Sequence, residues 1–482
     1  MDRWLGAALD YIPRWLEHQM RLTEQPGCAI AIAQHGRLVL EQAFGHADLV
    51  RGEALTPRHR FRVASHSKSF TAAGVLKLRE QGRVKLDDRI GSFVGGLHPK
   101  VASASLSQLL SHGAGLVRDG ADAGQWADRR PFLDAAGVRA DLAAGPLITP
   151  NTRLKYSNHG YGLIGLAVEA ITGERYTDWI AREIVAAAGL TETTPDAPIA
   201  VAAPFARGHS AKWPLGRRVV IPGRNPTHAL AAATGFVSTA ADLARFFASL
   251  APDAKKSVLS ADSRREMGRR QWRDPYSSLE RWYGLGTICG ALADWEWCGH
   301  TGGFQGTITR TACVPSQGLT VSVLTNAADG ASHGWVDGAL HILRAYQRHG
   351  APSRRAAAWA GRWWSLWGAI DLLPVDAKVL VANPALLNPM QDATELVIDG
   401  PVHGRIALAG GFGSQGEPVR LERNARGRPS AFWLGGTKTL PEAAVAKELA
   451  AKYEPAPRPG LAAPRKRSPA AAAEPPWSDR GR

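Results

Sequence analysis

Cysteine is scarce in this chain. Its 482 residues contain four, Cys28, Cys289, Cys298 and Cys313, and no two are spaced as Cys-x-x-Cys. That spacing excludes a zinc knuckle and a thioredoxin-type redox pair. Long apolar runs are also missing, and the longest are too short and broken to span a bilayer. The start, Met1-Asp2-Arg3-Trp4, has no basic stretch followed by an apolar run, so no secretory signal is recognised. These absences predict a cytoplasmic protein with reduced thiols and no membrane partner.

Several chemical motifs are absent too. Fifteen histidines occur, but without His-Glu-x-x-His or a matched His–carboxylate spacing, so no metal and no cofactor is expected. No Gly-Lys-Ser/Thr phosphate loop and no Gly-x-Ser-x-Gly elbow is found. The formal net charge is +15, with part of the excess around Arg465, Lys466 and Arg467. Basic and aromatic residues are not interleaved as in single-strand binders, so nucleic acid is not an expected partner.

What is present reads as a mixed fold. Leu5, Leu9, Ile12, Leu16 and Met20 have helical spacing within residues 1–25, with Pro13 marking a kink or the true start. Two extended runs, 28–33 and 37–45, flank a turn at His35-Gly36 and predict a hairpin. A helix runs from Ser65 to a cap at Gly82. Late extended segments at 283–289, 304–313 and 319–325 precede a closing helix over 336–348. Strands at both chain ends with helices between them predict one antiparallel sheet in an α+β organisation. After a linker candidate at 351–355, seven short alternating runs between 361 and 434 predict a small all-β barrel or sandwich. The expected division is 1–350, 356–452, and a disordered Pro/Ala-rich basic tail over 453–482. Trp363, Trp364 and Trp367 are expected to form the hub of the β unit. Trp295 and Trp297 read as core, and Trp272 and Trp282 as candidates for a pocket rim.

Three clusters can carry chemistry. In Ser65-His66-Ser67-Lys68, nearly one helical turn puts Ser65 and Lys68 on one face. A serine hydroxyl needs a base, and a lysine serves if burial lowers its pKa. The same tetrapeptide equally suits a helix cap beside a solvated lysine. Tyr156-Ser157-Asn158 offers a phenol to shuttle protons and an amide to bind substrate or lysine, or is a surface turn. In His300-Thr301-Gly302-Gly303, a backbone N–H could join that of Ser65 in an oxyanion hole, and His300 could orient a carboxylate or leaving group. A glycine turn next to a histidine is the plainer alternative.

Taken in order, the three motifs resemble the serine β-lactamase and penicillin-binding-protein family, near class C β-lactamases, family VIII esterases and D-aminopeptidases. The resemblance covers about residues 25–345. It extends to Phe61–Ala64, Gly82–Asp88, Leu109–Leu116, Tyr161–Gly165, Gly235–Thr239 and Val323–Asn326. It implies a β-lactamase/transpeptidase-like sheet flanked by helices. It implies acylation of Ser65, proton transfer by Lys68 and Tyr156, and substrate contacts from Asn158, His300, Thr301, Gly302 and Gly303. His300 stands where class C β-lactamases carry lysine, which points away from β-lactams. His112 matches a position regarded as structural.

The expected function is a serine hydrolase of small esters, amides or D-amino-acid peptides, with homo-oligomerisation left open. A β-lactamase or D-Ala-D-Ala carboxypeptidase is the rival within the fold. A non-catalytic sensor of peptides or lactams is the rival of another class.

Overall fold

The computed structural model describes residues 2–454 apart from 213–214, 276, 278–279 and 412. The expected disordered tail from 455 lies outside the described residues. The first helix, α1 (Arg3–Leu22), passes straight through Pro13. Its apolar stripe explains why the proline is tolerated: Leu5, Ile12, Trp15 and Leu16 are fully buried, so packing offsets the missing hydrogen bond.

The chain then enters the main sheet through β1 (Gly27–Gln34), β2 (Arg37–Asp48) and β3 (Glu53–Ala54). It leaves for a helical region containing α2 (Ser67–Glu80), α3 (Asn158–Thr172) and α4 (Ala240–Ser249). It returns through β4 (Trp272–Arg273), β5 (Arg281–Tyr283), β6 (Ile288–Leu292), β7 (Trp295–Phe304), β8 (Thr307–Val314) and β9 (Leu319–Thr325). The strand order is β3-β2-β1-β9-β8-β7-β6-β5-β4. The two chain ends meet where β1 pairs antiparallel with β9, placing Ile30 opposite Val323. A closing helix, α5 (Ser332–His349), joins α1 on one face of the sheet, and α4 packs on the other.

The α+β sheet built from both chain ends is therefore as expected, with nine strands where five were read. The run 283–289 is not one strand, because Gly284 to Thr287 breaks it, with Gly286 at φ +67°. Trp295 and Trp297 are buried against α1 and α5, as core.

Beyond a short helical turn at Arg354–Ala357, eight strands, β10 to β17 in chain order, pair in sequence between Gly361 and Thr439. Backbone bonds between Trp364 and Leu440 nearly close this sheet into a barrel. An unanticipated helix, α6 (Glu442–Tyr453), follows. Of the expected tryptophan hub, only Trp363 is in the barrel core, beside Trp359 and Phe432. Trp364 is half-buried, and Trp367 sits at a hairpin tip with 93% of its surface exposed.

The barrel is docked on α1 across the linker candidate. Leu373, Val375, Leu380 and Ala382 belong to the same apolar cluster as α1 and α5. Tyr11 donates to Asp371 at 2.8 Å, and Arg362 grips both oxygens of that buried carboxylate at 2.7 and 2.8 Å. Gln19 and Trp15 donate to the carbonyls of Pro384 and Leu386.

The thiols are not all reduced: Cys289 and Cys298 form a disulfide. They sit opposite each other on β6 and β7, with Cα atoms 4.2 Å apart, a juxtaposition that residue spacing alone does not reveal. Among the described residues, no helix is long and apolar enough to cross a membrane.

Because Asp371 is the joint between α1 and the barrel, Asp371→Ala strands the Arg362 charge. We expect a loss of about 3 kcal/mol, read as a lower midpoint in urea unfolding. A midpoint within error of the parent would show that the joint contributes nothing.

Candidate active site

Ser65 lies in a tight turn, Ala64–His66, immediately before α2. Ala64 takes a left-handed backbone at φ +46°, a costly conformation for a residue with a Cβ, and so turns Ser65 outward. The turn is pinned by Ser67, whose hydroxyl donates to the Ala64 carbonyl at 2.6 Å and accepts from the Phe236 N–H at 3.0 Å. Lys68 follows on the first turn of α2 and points the same way. On the other wall, Ser157 caps α3 by accepting from the Gly160 N–H at 2.9 Å. This cap sets Tyr156 and Asn158 on either side of the helix start. The strand β7 supplies His300, Thr301 and Gly303.

The polar atoms converge. Lys68 Nζ lies 2.7 Å from Asn158 Oδ1, 2.8 Å from the Ala233 carbonyl and 3.2 Å from Ser65 Oγ. Tyr156 donates its hydroxyl to Ser65 Oγ at 2.9 Å. Asn158 is oriented by donating Nδ2 to Asp119 at 2.6 Å, which leaves its oxygen for the lysine. Lys68 is fully buried, and that burial holds its pKa well below the ordinary lysine value, with Asp119 opposing and Arg118 assisting. A neutral amine has two hydrogens and one lone pair. In that form its hydrogens would go to Asn158 and the Ala233 carbonyl, and its lone pair would face the Ser65 hydroxyl. Burial raises the Tyr156 pKa well above that of a free phenol, so it rests as a proton donor. His112 supports it from behind, with ring centroids 4.1 Å apart. His112 Nδ1 also accepts from the Ser157 N–H, in keeping with a structural role.

Ser65, Tyr156 and Asn158 line a cleft of about 310 Å³ with Arg118, Asp119, Trp126 and Ile288, and Lys68 lies buried behind them. None of those four was singled out from sequence, although Arg118 and Asp119 lie just past the Leu109–Leu116 motif. The Arg118 guanidinium pairs with Asp119 at 3.0 Å and overlies the Tyr156 ring at 5.3 Å. Trp272 and Trp282, the rim candidates, are not in the lining.

Two expectations change. His300 is in the wall, but burial and its neighbours His66 and Lys68 drive its pKa well down. It is a neutral ring held by Tyr283 at 3.0 Å, so the positive charge at the mouth comes from Arg118. Gly302 does not line the cleft. A Cβ there would lie 2.2 Å from the Val63 carbonyl and 2.4 Å from Thr309 Oγ1, so glycine lets β7 abut the segment before Ser65. Thr301 and Gly303 do line it. Among the described residues, no group of three or more His, Cys, Asp or Glu side chains is placed to hold a metal.

Comparison with known proteins places the family and the fold. The family model "Beta-lactamase" matches residues 12–344. "Penicillin-binding protein 4" of Amycolatopsis lactamdurans is 30% identical over 323 residues, covering 62% of this chain and 81% of that protein. "Protein flp" of Staphylococcus aureus strain N315 is 25% identical over 187 residues, and the match spans only 38% of this chain and 37% of that protein. Among solved structures, the octameric penicillin-binding protein homologue from Pyrococcus abyssi superposes with a TM-score of 0.63 at 19% identity. It covers 90% of this chain and 99% of its own. The D-amino acid amidase from Ochrobactrum anthropi SV3 superposes with a TM-score of 0.61 at 23% identity, covering 70% and 99%. At these identities the two structures show a shared fold.

The glycine contacts give a direct test. Gly302→Ala should lose about 2 kcal/mol of stability, since overpacked sites cost about 1–3. Gly303→Ala, whose Cβ would meet only Ile308 Cδ1 at 3.5 Å, should fold like the parent. Equal unfolding midpoints for the two variants would refute the packing role of Gly302.

Proposed function

The chain belongs to the beta-lactamase family, and on that premise we propose that it is a serine hydrolase that cleaves small amides or short peptides through an acyl-enzyme on Ser65. The observation that carries this reading is the fully buried Lys68, whose Nζ lies 3.2 Å from Ser65 Oγ between Asn158 and the Ala233 carbonyl. Ser65 gives its proton to Lys68 Nζ as Oγ attacks the scissile carbonyl. The backbone N–H groups of Ser65 and Gly303 hold the developing oxyanion, aided by the start of α2. Tyr156 passes its phenolic proton to the leaving nitrogen and recovers one from Lys68. Water then attacks the acyl carbonyl along the same path and gives a proton to Lys68, which returns it to Ser65 Oγ as the C–Oγ bond breaks and the acid leaves.

Small esters fit the same chemistry, with an easier leaving group. Asp119 favours amides that carry a free amino group, because its carboxylate lines the cleft beside the nucleophile. Its partner Arg118 is mostly exposed to solvent. The D-amino acid amidase that shares the fold is named for such substrates. We carry that substrate class to this chain as a proposal, including its D configuration.

The labelling experiment decides the catalytic claim. A fluorophosphonate or fluorescent penicillin should form a covalent adduct with the parent and none with Ser65→Ala. Lys68→Ala and Tyr156→Phe should each lose at least ~100-fold in p-nitrophenyl ester turnover. No adduct with either probe and no ester turnover would defeat the proposal.

The pH dependence follows from the lysine. The base must be unprotonated, so kcat/KM should fall as pH drops through the depressed Lys68 pKa and be flat above it. A rate still climbing between pH 9 and about 10.4, the ordinary lysine value, would contradict a buried neutral base.

For substrate choice, Asp119→Asn should lose about 10- to 100-fold in kcat/KM on D-alanine p-nitroanilide, the scale of a hydrogen bond to a charged group. The loss on p-nitrophenyl butyrate should be clearly smaller, since there only the hold of Asp119 on Asn158 is weakened. Equal losses on both substrates would leave Asp119 with lysine positioning alone.

A further inference from the structure

Three of the four cysteines fall on one line across the sheet. Cys289 on β6 lies opposite Cys298 on β7, and Cys298 lies opposite Cys313 on β8. Directly opposed residues project from the same face. All three line a second cavity, of about 340 Å³, between the sheet and the helical segments carrying Phe247 and Met267. Cys289 and Cys298 are bonded, and Cys313 is a free, buried thiol.

Strand geometry sets the reach of Cys298. The Cα separation of 4.2 Å in the bonded pair is that of a non-hydrogen-bonded pair in an antiparallel ladder. The backbone N–H and C=O of Cys298 must then face β8. This makes Cys298 and Cys313 the hydrogen-bonded kind of pair, with Cα atoms about 5.5 Å apart. Disulfides most often span about 5.5–6 Å. Cys298 is therefore within bonding reach of both neighbours. The order Cys313, Cys298, Cys289 along the rung puts an attacking sulfur on the side away from a leaving one.

We propose that this rung is an exchangeable disulfide that moves between two positions. The Cys313 thiolate attacks the Cys298 sulfur, the Cys298–Cys313 bond forms, and the Cys289–Cys298 bond breaks. Cys289 leaves as a thiolate and takes up the proton that Cys313 lost. One disulfide and one thiol are present before and after, so no oxidant or reductant is consumed. Burial pushes the Cys313 thiol up to about 11, which keeps the exchange slow at neutral pH.

The two isomers brace the active-site wall differently. Ile288, next to Cys289, lines the cleft, and so do His300, Thr301 and Gly303, which follow Cys298 on β7. In one isomer β6 is stapled to β7. In the other β7 is stapled to β8, and β6 is held by hydrogen bonds and packing alone.

Thiol trapping with N-ethylmaleimide at low pH, followed by peptide mapping, tests the proposal on the full chain. The parent at pH 7 should show the Cys289–Cys298 peptide pair with Cys28 and Cys313 trapped. At pH 9 the Cys298–Cys313 pair should appear on the order of 100-fold faster, following the thiolate fraction. Amide exchange over residues 288–292 should quicken in that isomer. Cys289→Ser treated with oxidised glutathione should form the Cys298–Cys313 bond, and Cys313→Ser should keep the first bond at every pH. The proposal fails if oxidised, folded Cys289→Ser still traps both Cys298 and Cys313. If that variant does not fold, the parent decides: absence of the Cys298–Cys313 pair after prolonged incubation at pH 9 overturns the exchange.

Discussion

The burial of one amine organises this molecule. Lys68 sits with no surface exposed at the start of α2, among Ser65, Asn158 and a main-chain carbonyl. A charged ammonium there would carry a large desolvation cost, so the site favours the neutral form. Every neighbouring element serves that outcome. The Ser157 cap fixes where α3 begins and so where the Asn158 amide stands. Asp119 fixes which way that amide points. The Ala233 carbonyl closes the third side. The side left open on Nζ is the one toward the Ser65 hydroxyl, 3.2 Å away.

The same economy shapes the backbone around the site. Ala64 is held in a left-handed conformation by Ser67 and by the close approach of β7 at Gly302. His112 and Tyr283, neither of which faces a reacting atom, hold Tyr156 and His300 by ring contact and hydrogen bond. The chemistry therefore rests on a second layer of contacts that is mostly apolar, aromatic or main-chain.

How much of this could be read in the sequence follows the range of each interaction. Ser65 and Lys68 are three apart across the turn that enters α2, close enough to helical spacing that their shared face was legible. Tyr156, Asn158 and the β7 segment were legible as ordered motifs, and β1, β2 and the barrel strands through alternation. Two-residue strands such as β4 carry too few positions for a period and were missed. Arg118 and Asp119 were missed because a loop residue's neighbours depend on the fold. Gly302 was assigned to substrate because a glycine required by another backbone looks the same in sequence as one required by a ligand. Trp367 reads as part of the barrel hub because aromatic residues are commonly buried, yet the two-residue hairpin turn after Ser365 carries it outward. The disulfide was invisible because register between strands, and not spacing along the chain, makes the bond.

The pairing of β1 with β9 carries a consequence for biosynthesis. Ile30 and Val323 become neighbours only after the intervening helical region has been made. Contacts of such long sequence separation form late and slowly. During translation the first hairpin, with the apolar residues Cys28, Ile30 and Ile32 along one face, has no β9 to cover its edge until nearly the whole sheet has left the ribosome. The nascent chain thus passes through a long interval in which an apolar strand is open to other chains. Slowing synthesis of the middle segment would lengthen that interval, and a holding chaperone acting on the hairpin would shorten its exposure.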